Sequence, residues 1–222
     1  MAAQEHHFSV TRTARYYQLG ELSAATKRVW FVCHGYGQLA AYFIRHFAHL
    51  TVADPELVVI APEGLSRFYL QGTGGRVGAS WMTKEDRLTE IEDYVAYLNQ
   101  LTTATLPLAA ATVQVTVLGF SQGAATVGCW LAHASFRPAH LVLWAGAFPP
   151  DMEPFTASRL LEQLPVTLVC GTDDAYVSTT DLEQQYAYLS KVGATPIVIR
   201  FSGSHTLDAD VLLRLQAMEK AL

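Results

Sequence analysis

Residues 113–133 read VQVTVLGFSQGAATVGCWLAH. The stretch opens as a β-branched apolar run and turns through Gly-Phe-Ser-Gln-Gly at 119–123. It continues as small apolar residues nearly all round. That pattern is a buried strand, a tight turn and a central buried helix. Further apolar runs lie on either side: 29–33 (VWFVC), 57–61 (LVVIA), 140–146 (HLVLWAG), 166–171 (VTLVCG) and 196–201 (PIVIRF). Runs with two apolar faces suit a parallel sheet covered on both sides. Helical periodicity fills the gaps: Leu39, Phe43, Phe47 and Leu50; Leu88, Ile91, Val95 and Leu98; then Leu182, Tyr186 and Leu189 behind a Ser178 cap. A last helix carries Leu207, Val211, Leu215 and Met218. Residues 6–19 are rich in β-branched and aromatic side chains and are expected to form two short strands. The order is an α/β sandwich with a mostly parallel sheet, in which ligands bind outside the carboxyl ends of the strands.

At 222 residues the chain is expected to be one domain, 1–222. Half of it is hydrophobic and 16% is charged, against about 25% in ordinary domains, which excludes a disordered chain. Its 15 Lys and Arg are scattered and the net charge is -5, so no basic stripe exists to follow a phosphate backbone, and no nucleic-acid partner is expected. Cys33, Cys129 and Cys170 sit in apolar runs, form no C-x-x-C and are odd in number, which reads as buried free thiols in a reducing compartment. Residues 1–10 have neither a basic nor an apolar signal region, and no apolar stretch reaches about 18 residues. A cytoplasmic protein without integral membrane contact is expected.

The chemistry-bearing residues stand just after the runs. Ser121 is centred in G-x-S-x-G between strand and helix. A serine there needs a sharp, strained turn to lift its hydroxyl clear of the sheet, and side chains two residues before and after would collide. The helix that follows aims its free N–H groups and partial positive charge at the same place. A hydroxyl becomes a nucleophile when a base takes its proton, and the base needs a carboxylate to fix its tautomer. His205 follows the 196–201 run, and Asp173 and Asp174 follow the 166–171 run, in the chain order serine, acid, histidine. Spacing alone leaves both aspartates open. His133 and His140 read as cap or surface residues, and His34, ahead of the serine, as a loop anchor. His6-His7 reads as a solvated pair, and neither metal nor cofactor is called for.

Together these residues resemble the carboxylesterase/phospholipase branch of the α/β-hydrolases, which includes acyl-protein thioesterases. The resemblance runs from about Val29 to the C-terminus through His-Gly-x-Gly (34–37), Gly-Phe-Ser-Gln-Gly (119–123), Gly-x-x-Asp-x-x-Val (171–177) and the late His205. It implies a three-layer α/β/α sandwich without a separate cap domain. It implies a serine esterase or thioesterase with Ser121, Asp174 and His205 as catalytic residues. The backbone N–H groups of Tyr36 and Gln122 are then the oxyanion donors. Ala79-Ser80-Trp81 matches a segment that lines the family's cleft. Two positions depart from the family's pattern: Gln38 replaces an acidic residue and Ser178 a proline. The implied partner is a small-molecule or lipid-like acyl ester. The alternatives are a non-catalytic binding protein on the same fold, or a serine hydrolase of another bond type, such as a lysophospholipase or peptidase. Large side chains in the stretches left over are expected to wall the substrate cleft. In the first stretch these are Leu65, Phe68, Tyr69 and Trp81. In the second they are Phe148, Met152 and Phe155, with Tyr176 after the fifth run. At about 0.8 kcal/mol per buried methylene, such a wall favours acyl chains of roughly four to ten carbons.

Overall fold

The computed structural model describes residues 2–109 and 112–220. The strands are β1 (Tyr16–Leu19), β2 (Arg28–Cys33), β3 (Leu57–Pro62), β4 (Ser66–Gln71), β5 (Gly74–Ser80), β6 (Gln114–Phe120), β7 (His140–Trp144), β8 (Val166–Gly171) and β9 (Ile197–Phe201). The α-helices are α1 (Ala40–Phe43), α2 (Ala48–Ala53), α3 (Arg87–Thr105), α4 (Gln122–Leu131), α5 (Pro154–Leu161), α6 (Thr179–Lys191) and α7 (Ala209–Glu219). Seven strands form one sheet in the order β1-β3-β2-β6-β7-β8-β9. All neighbours are parallel except β1, which runs antiparallel to β3.

The pleat divides the core into two layers. Along β2, Val29, Phe31 and Cys33 pack with Tyr94 and Leu98 of α3 and Trp130 of α4. Trp30 and Val32 point the other way, toward Phe43 of α1, Leu50 of α2 and Leu215 of α7. Each of these large buried side chains contributes on the order of 1.5–3 kcal/mol. The three-layer α/β/α arrangement with a mostly parallel sheet is therefore the observed one. Among the described residues no helix is long and apolar enough to cross a membrane.

Four local expectations are corrected. Residues 6–15 form no strand; Phe8 and Val10 are exposed, and only Tyr16–Leu19 pairs with the β3 edge. β-branched residues without a partner edge do not stay extended as sheet. The helix expected over 39–50 is interrupted by a 3₁₀ turn at Ile44–Phe47. The stretch after β3, left over in the sequence, is the antiparallel β4–β5 hairpin, joined to the 34–38 loop by a bridge between Gln38 and Ala79. The stretch after β7 contains α5, started by Pro154 at its first turn and by Glu153, whose carboxylate accepts from the N–H groups of Phe155 and Thr156. Of the three free thiols, Cys33 and Cys170 are buried and Cys129 is half-buried.

Candidate active site

Ser121 follows β6 at φ 54, ψ -117, a positive φ that a residue with a side chain seldom adopts. It occupies the N-cap position of α4, yet its side chain caps nothing. The glycines explain why the turn closes. A Cβ on Gly119 would overlap the carbonyl of Gly123, and one on Gly123 would overlap the carbonyl of Cys33. The Ser121 N–H is tied to the Trp144 carbonyl at 2.8 Å, which locks the turn to the neighbouring strand.

The 171–177 and 202–206 loops are stitched together. Thr172 N–H donates to Phe201 and Asp173 N–H to Gly203, and a Cβ on Gly171 would overlap the Gly203 carbonyl. The stitching brings His205 to Asp174, with Nδ1 2.8 Å from Oδ2 and 3.1 Å from Oδ1. The Asp174 carboxylate has no exposed side-chain surface. Its Oδ1 also accepts from the N–H groups of Tyr176 and Val177 at 2.8 and 3.0 Å, so the buried charge is paired on every side. Asp173 is exposed, and among the described residues its carboxylate meets only Thr172. The geometry thus separates two aspartates that spacing alone left equivalent. The His205 ring lies between Phe120 and Tyr176, with centroids 4.9 and 4.7 Å away. Trp144 Nε1–H donates to the Thr206 carbonyl at 2.9 Å and holds the histidine loop over the end of β7.

The loop after β2 is built around His34. Its buried ring accepts from Gly64 N–H at Nε2 (3.0 Å), so Nδ1 carries the proton and donates to the Gly35 carbonyl (2.8 Å). Burial lowers its pKa below the ordinary histidine value. Gln38 Oε1 accepts from Gly35 N–H, and Gly37 N–H donates to Ala79. Among the described residues, neither the Tyr36 nor the Gln122 N–H has a protein acceptor, although their neighbours in the two turns do.

Two positions did more than their motifs suggested. The Gln122 side chain reaches back to the segment before α3: Oε1 accepts from Trp81 N–H at 3.1 Å, and Nε2–H₂ donates to the Met82 carbonyl at 2.8 Å. It clamps that segment to the serine turn, and no local pattern announces it. His140, read as a cap or surface residue, is buried on β7 against Thr167 at 2.8 Å, and burial lowers its pKa to about 4.

The eight residues expected to wall the cleft fall into buried, half-buried and exposed positions. Trp81 is buried, stacked on His34 and donating Nε1–H to its carbonyl, so it props the loop. Phe148 is buried beside Tyr188, and Met152 is half-buried on the core. Leu65 is half-buried and accepts from Arg12. Phe68 stacks on Tyr36 at 5.1 Å and Tyr69 is exposed on the hairpin, while Phe155 is exposed on α5. Tyr176 alone of the eight lines a pocket of about 300 Å³. That pocket opens between the ends of β7 and β8 and the first turns of α6, with walls from Leu143, Leu168, Val169 and Leu182. Its lining also includes the small residues Ala145, Gly146 and Ala147.

Comparison with known proteins decides the family. A family model described as phospholipase/carboxylesterase matches residues 21–218. The chain belongs to the phospholipase/carboxylesterase family. Among solved structures, esterase PE8 aligns over 95% of this chain and 99% of its own at 22% identity and TM-score 0.70. Acyl-protein thioesterase 2 of Zea mays aligns over 93% and 100% at 19% identity and TM-score 0.69. A Bacillus cereus carboxylesterase aligns over 94% of both chains at 15% identity and TM-score 0.64. At these identities the structures share the α/β-hydrolase fold with this chain. A comparison of the sequence with curated proteins finds no match.

Proposed function

We propose that this family member is a serine hydrolase of the carboxylesterase type, cleaving acyl esters or thioesters through an acyl-enzyme on Ser121. The observation that carries the reading is the fully buried Asp174 carboxylate on His205 Nδ1, at the sheet edge where Ser121 stands on its strained turn. With Nδ1–H donating to Asp174, His205 Nε2 is the bare nitrogen that takes the serine proton. Ser121 Oγ then attacks the acyl carbonyl carbon. The carbonyl oxygen becomes an oxyanion and accepts from the free N–H groups of Tyr36 and Gln122 at the positive end of α4. Each such donor contributes on the order of 3 kcal/mol in enzymes of this type. As the intermediate collapses, the bond to the alcohol or thiol breaks and His205 hands the leaving group its proton. Water repeats the cycle with the same base and releases the acid.

In this reading the acyl chain enters the pocket whose walls Gly146 and Tyr176 lie against the Ser121 carbonyl and the His205 ring. Its aliphatic walls, at about 0.8 kcal/mol per buried methylene, support chains of roughly four to ten carbons. The cytoplasmic setting belongs to the same proposal and agrees with three free thiols. A fluorophosphonate probe tests the nucleophile. It should label the wild-type protein and leave a folded Ser121→Ala variant untouched; labelling of that variant would end the assignment.

A further inference from the structure

The Tyr36 N–H belongs to a peptide group whose other half is the Gly35 carbonyl. That carbonyl accepts from His34 Nδ1–H at 2.8 Å and from the Gln38 N–H at 3.2 Å. A trans peptide is planar, with its C=O and N–H pointing opposite ways. Fixing the Gly35 carbonyl therefore fixes the direction of the Tyr36 N–H. The preceding peptide is fixed as well, because the Gly35 N–H donates to Gln38 Oε1 at 2.8 Å. Gln38 thus closes the turn with both its backbone and its side chain. The turn abuts the nucleophile: a Cβ on Gly35 would lie 3.1 Å from the Cβ of Ser121.

Gln38 is itself held by β5. The Ala79 N–H donates to the Gln38 carbonyl at 3.0 Å, and the Gly37 N–H donates to the Ala79 carbonyl at 2.9 Å. The fit behind the turn is tight, since a Cβ on Gly78 would overlap the Gly37 carbonyl. From the same hairpin, Phe68 stacks on the Tyr36 ring at 5.1 Å. The N–H groups of Gly35, Gly37 and Gln38 are all occupied in this way, and among the described residues that of Tyr36 alone in the turn is open. Contacts run without a gap from the hairpin through Gln38 to that open donor.

We infer that Gln38 is a positioning residue for the oxyanion donor at Tyr36, and that the β4–β5 hairpin is the backing that sets it. The inference rests on the hydrolase reading above and gives the Gln38 side chain a part in that reaction. Gln38 acts through the Gly35–Tyr36 peptide, aiming its N–H at the oxygen that becomes the oxyanion. Such aim matters only once that oxygen gains charge, so its loss lowers kcat and kcat/KM together.

The test measures hydrolysis of p-nitrophenyl acetate and hexanoate, and inhibition by a trifluoromethyl ketone whose adduct with the serine carries the oxyanion. Gln38→Met keeps the side-chain length and removes the acceptor. It should lower kcat by about tenfold, part of the roughly 10²–10³-fold that losing a whole oxyanion donor costs. KM should stay within about threefold, and the ketone should weaken in step with kcat. Gly78→Ala should act in the same way from the hairpin. Gly74→Ala, whose added Cβ meets open space near the hairpin tip, should match the wild type. A Gln38→Met or Gly78→Ala enzyme with wild-type kcat overturns the inference while the wild type still hydrolyses the esters. A loss of kcat without a matching loss of ketone affinity overturns it too. A wild type that hydrolyses neither ester overturns the hydrolase reading, and the inference with it.

Discussion

At the carboxyl ends of β6 and β7, Ser121 and Ala145 both sit at positive φ, 54 and 48, and glycines press against carbonyls on every side of the serine turn. Among the described residues, the Tyr36 and Gln122 N–H groups lack acceptors there. Toward the amino ends of the same sheet several buried polar groups are paired. Glu219 of α7 accepts from Trp30 Nε1–H at 2.7 Å and from the Thr116 hydroxyl at 2.8 Å, and Arg28 grips Asp54 with two hydrogen bonds of 2.8 Å. One edge holds strain and unmet backbone donors, and the other holds paired side chains such as Glu219 and Arg28, beside the buried ring of His140 whose Nδ1 has no partner among the described residues. A positive φ at a non-glycine residue costs on the order of 1–3 kcal/mol and persists only where the surroundings over-determine it. Here the bond from Ser121 N–H to the Trp144 carbonyl and the tight glycine contacts of the turn over-determine it. The comparison teaches that activity and stability should separate along the strand axis.

The largest effects should fall on the carboxyl edge and on rate alone. Ser121→Ala and Asp174→Asn should each lower kcat by about 10⁴-fold with the urea midpoint nearly unchanged, because catalytic groups of this kind act as a unit. Asp173→Asn, exposed and off the histidine, should stay within about threefold of wild type. Equal losses at the two aspartates would break the assignment.

The amino edge should answer in stability alone. Glu219→Ala leaves Trp30 Nε1–H and the Thr116 hydroxyl without their acceptor, at a cost of about 4 kcal/mol. For a chain of this size that is a fall in Tm of roughly 8–16 °C. Esterase kcat/KM at 25 °C should not move. A loss of rate without a loss of Tm would show that the two edges are coupled.

His140 sharpens the same contrast through pH. It starts β7, and burial lowers its pKa from 6.5 to about 4. The folded state therefore binds its proton less readily than the unfolded chain. The stability this contributes is fully present above pH 6.5 and is lost as pH falls toward 4. The amount is on the order of 3 kcal/mol. Urea unfolding at pH 7 and pH 4.5 should show a steep decline in the wild type and a shallower one in His140→Gln. Parallel declines would place the pH sensitivity elsewhere.

The smallest effect concerns a clamp. Gln122→Ala keeps the backbone N–H that faces the oxyanion but frees the 80–82 segment, so kcat/KM should drop about tenfold, or 1.4 kcal/mol. A rate equal to wild type would make that segment irrelevant to the site.

Local sterics carried much of this molecule. The apolar runs became strands because a sheet covered on both sides needs two apolar faces, and Val29 to Cys33 supply them without a break. The serine turn was readable in part for the same reason: a Cβ on Gly119 would meet the Gly123 carbonyl four residues on, whereas the collision that demands Gly123 comes from the remote Cys33 carbonyl. His205 could be found because it follows a strand, and strand ends share one edge. Failures arose where the deciding partner is remote. Residues 6–15 had strand composition and no edge to pair with. Trp81 and Phe148 had the bulk of a substrate wall, but their burial depends on α3 and α6.

The primary structure by itself determined the element order, the strained serine and the histidine beside the acid loop. Each depends on neighbours in the chain or on position at a strand end. Only the tertiary structure decided which aspartate meets His205, because the choice lies in how the 171–177 loop is stitched to the 202–206 loop. Only it decided the pocket. A cavity is the volume that packing leaves unfilled. This one lies between Leu143, Leu168 and Leu182, which are far apart in sequence, over a floor that Ala145 and Gly146 are too small to fill.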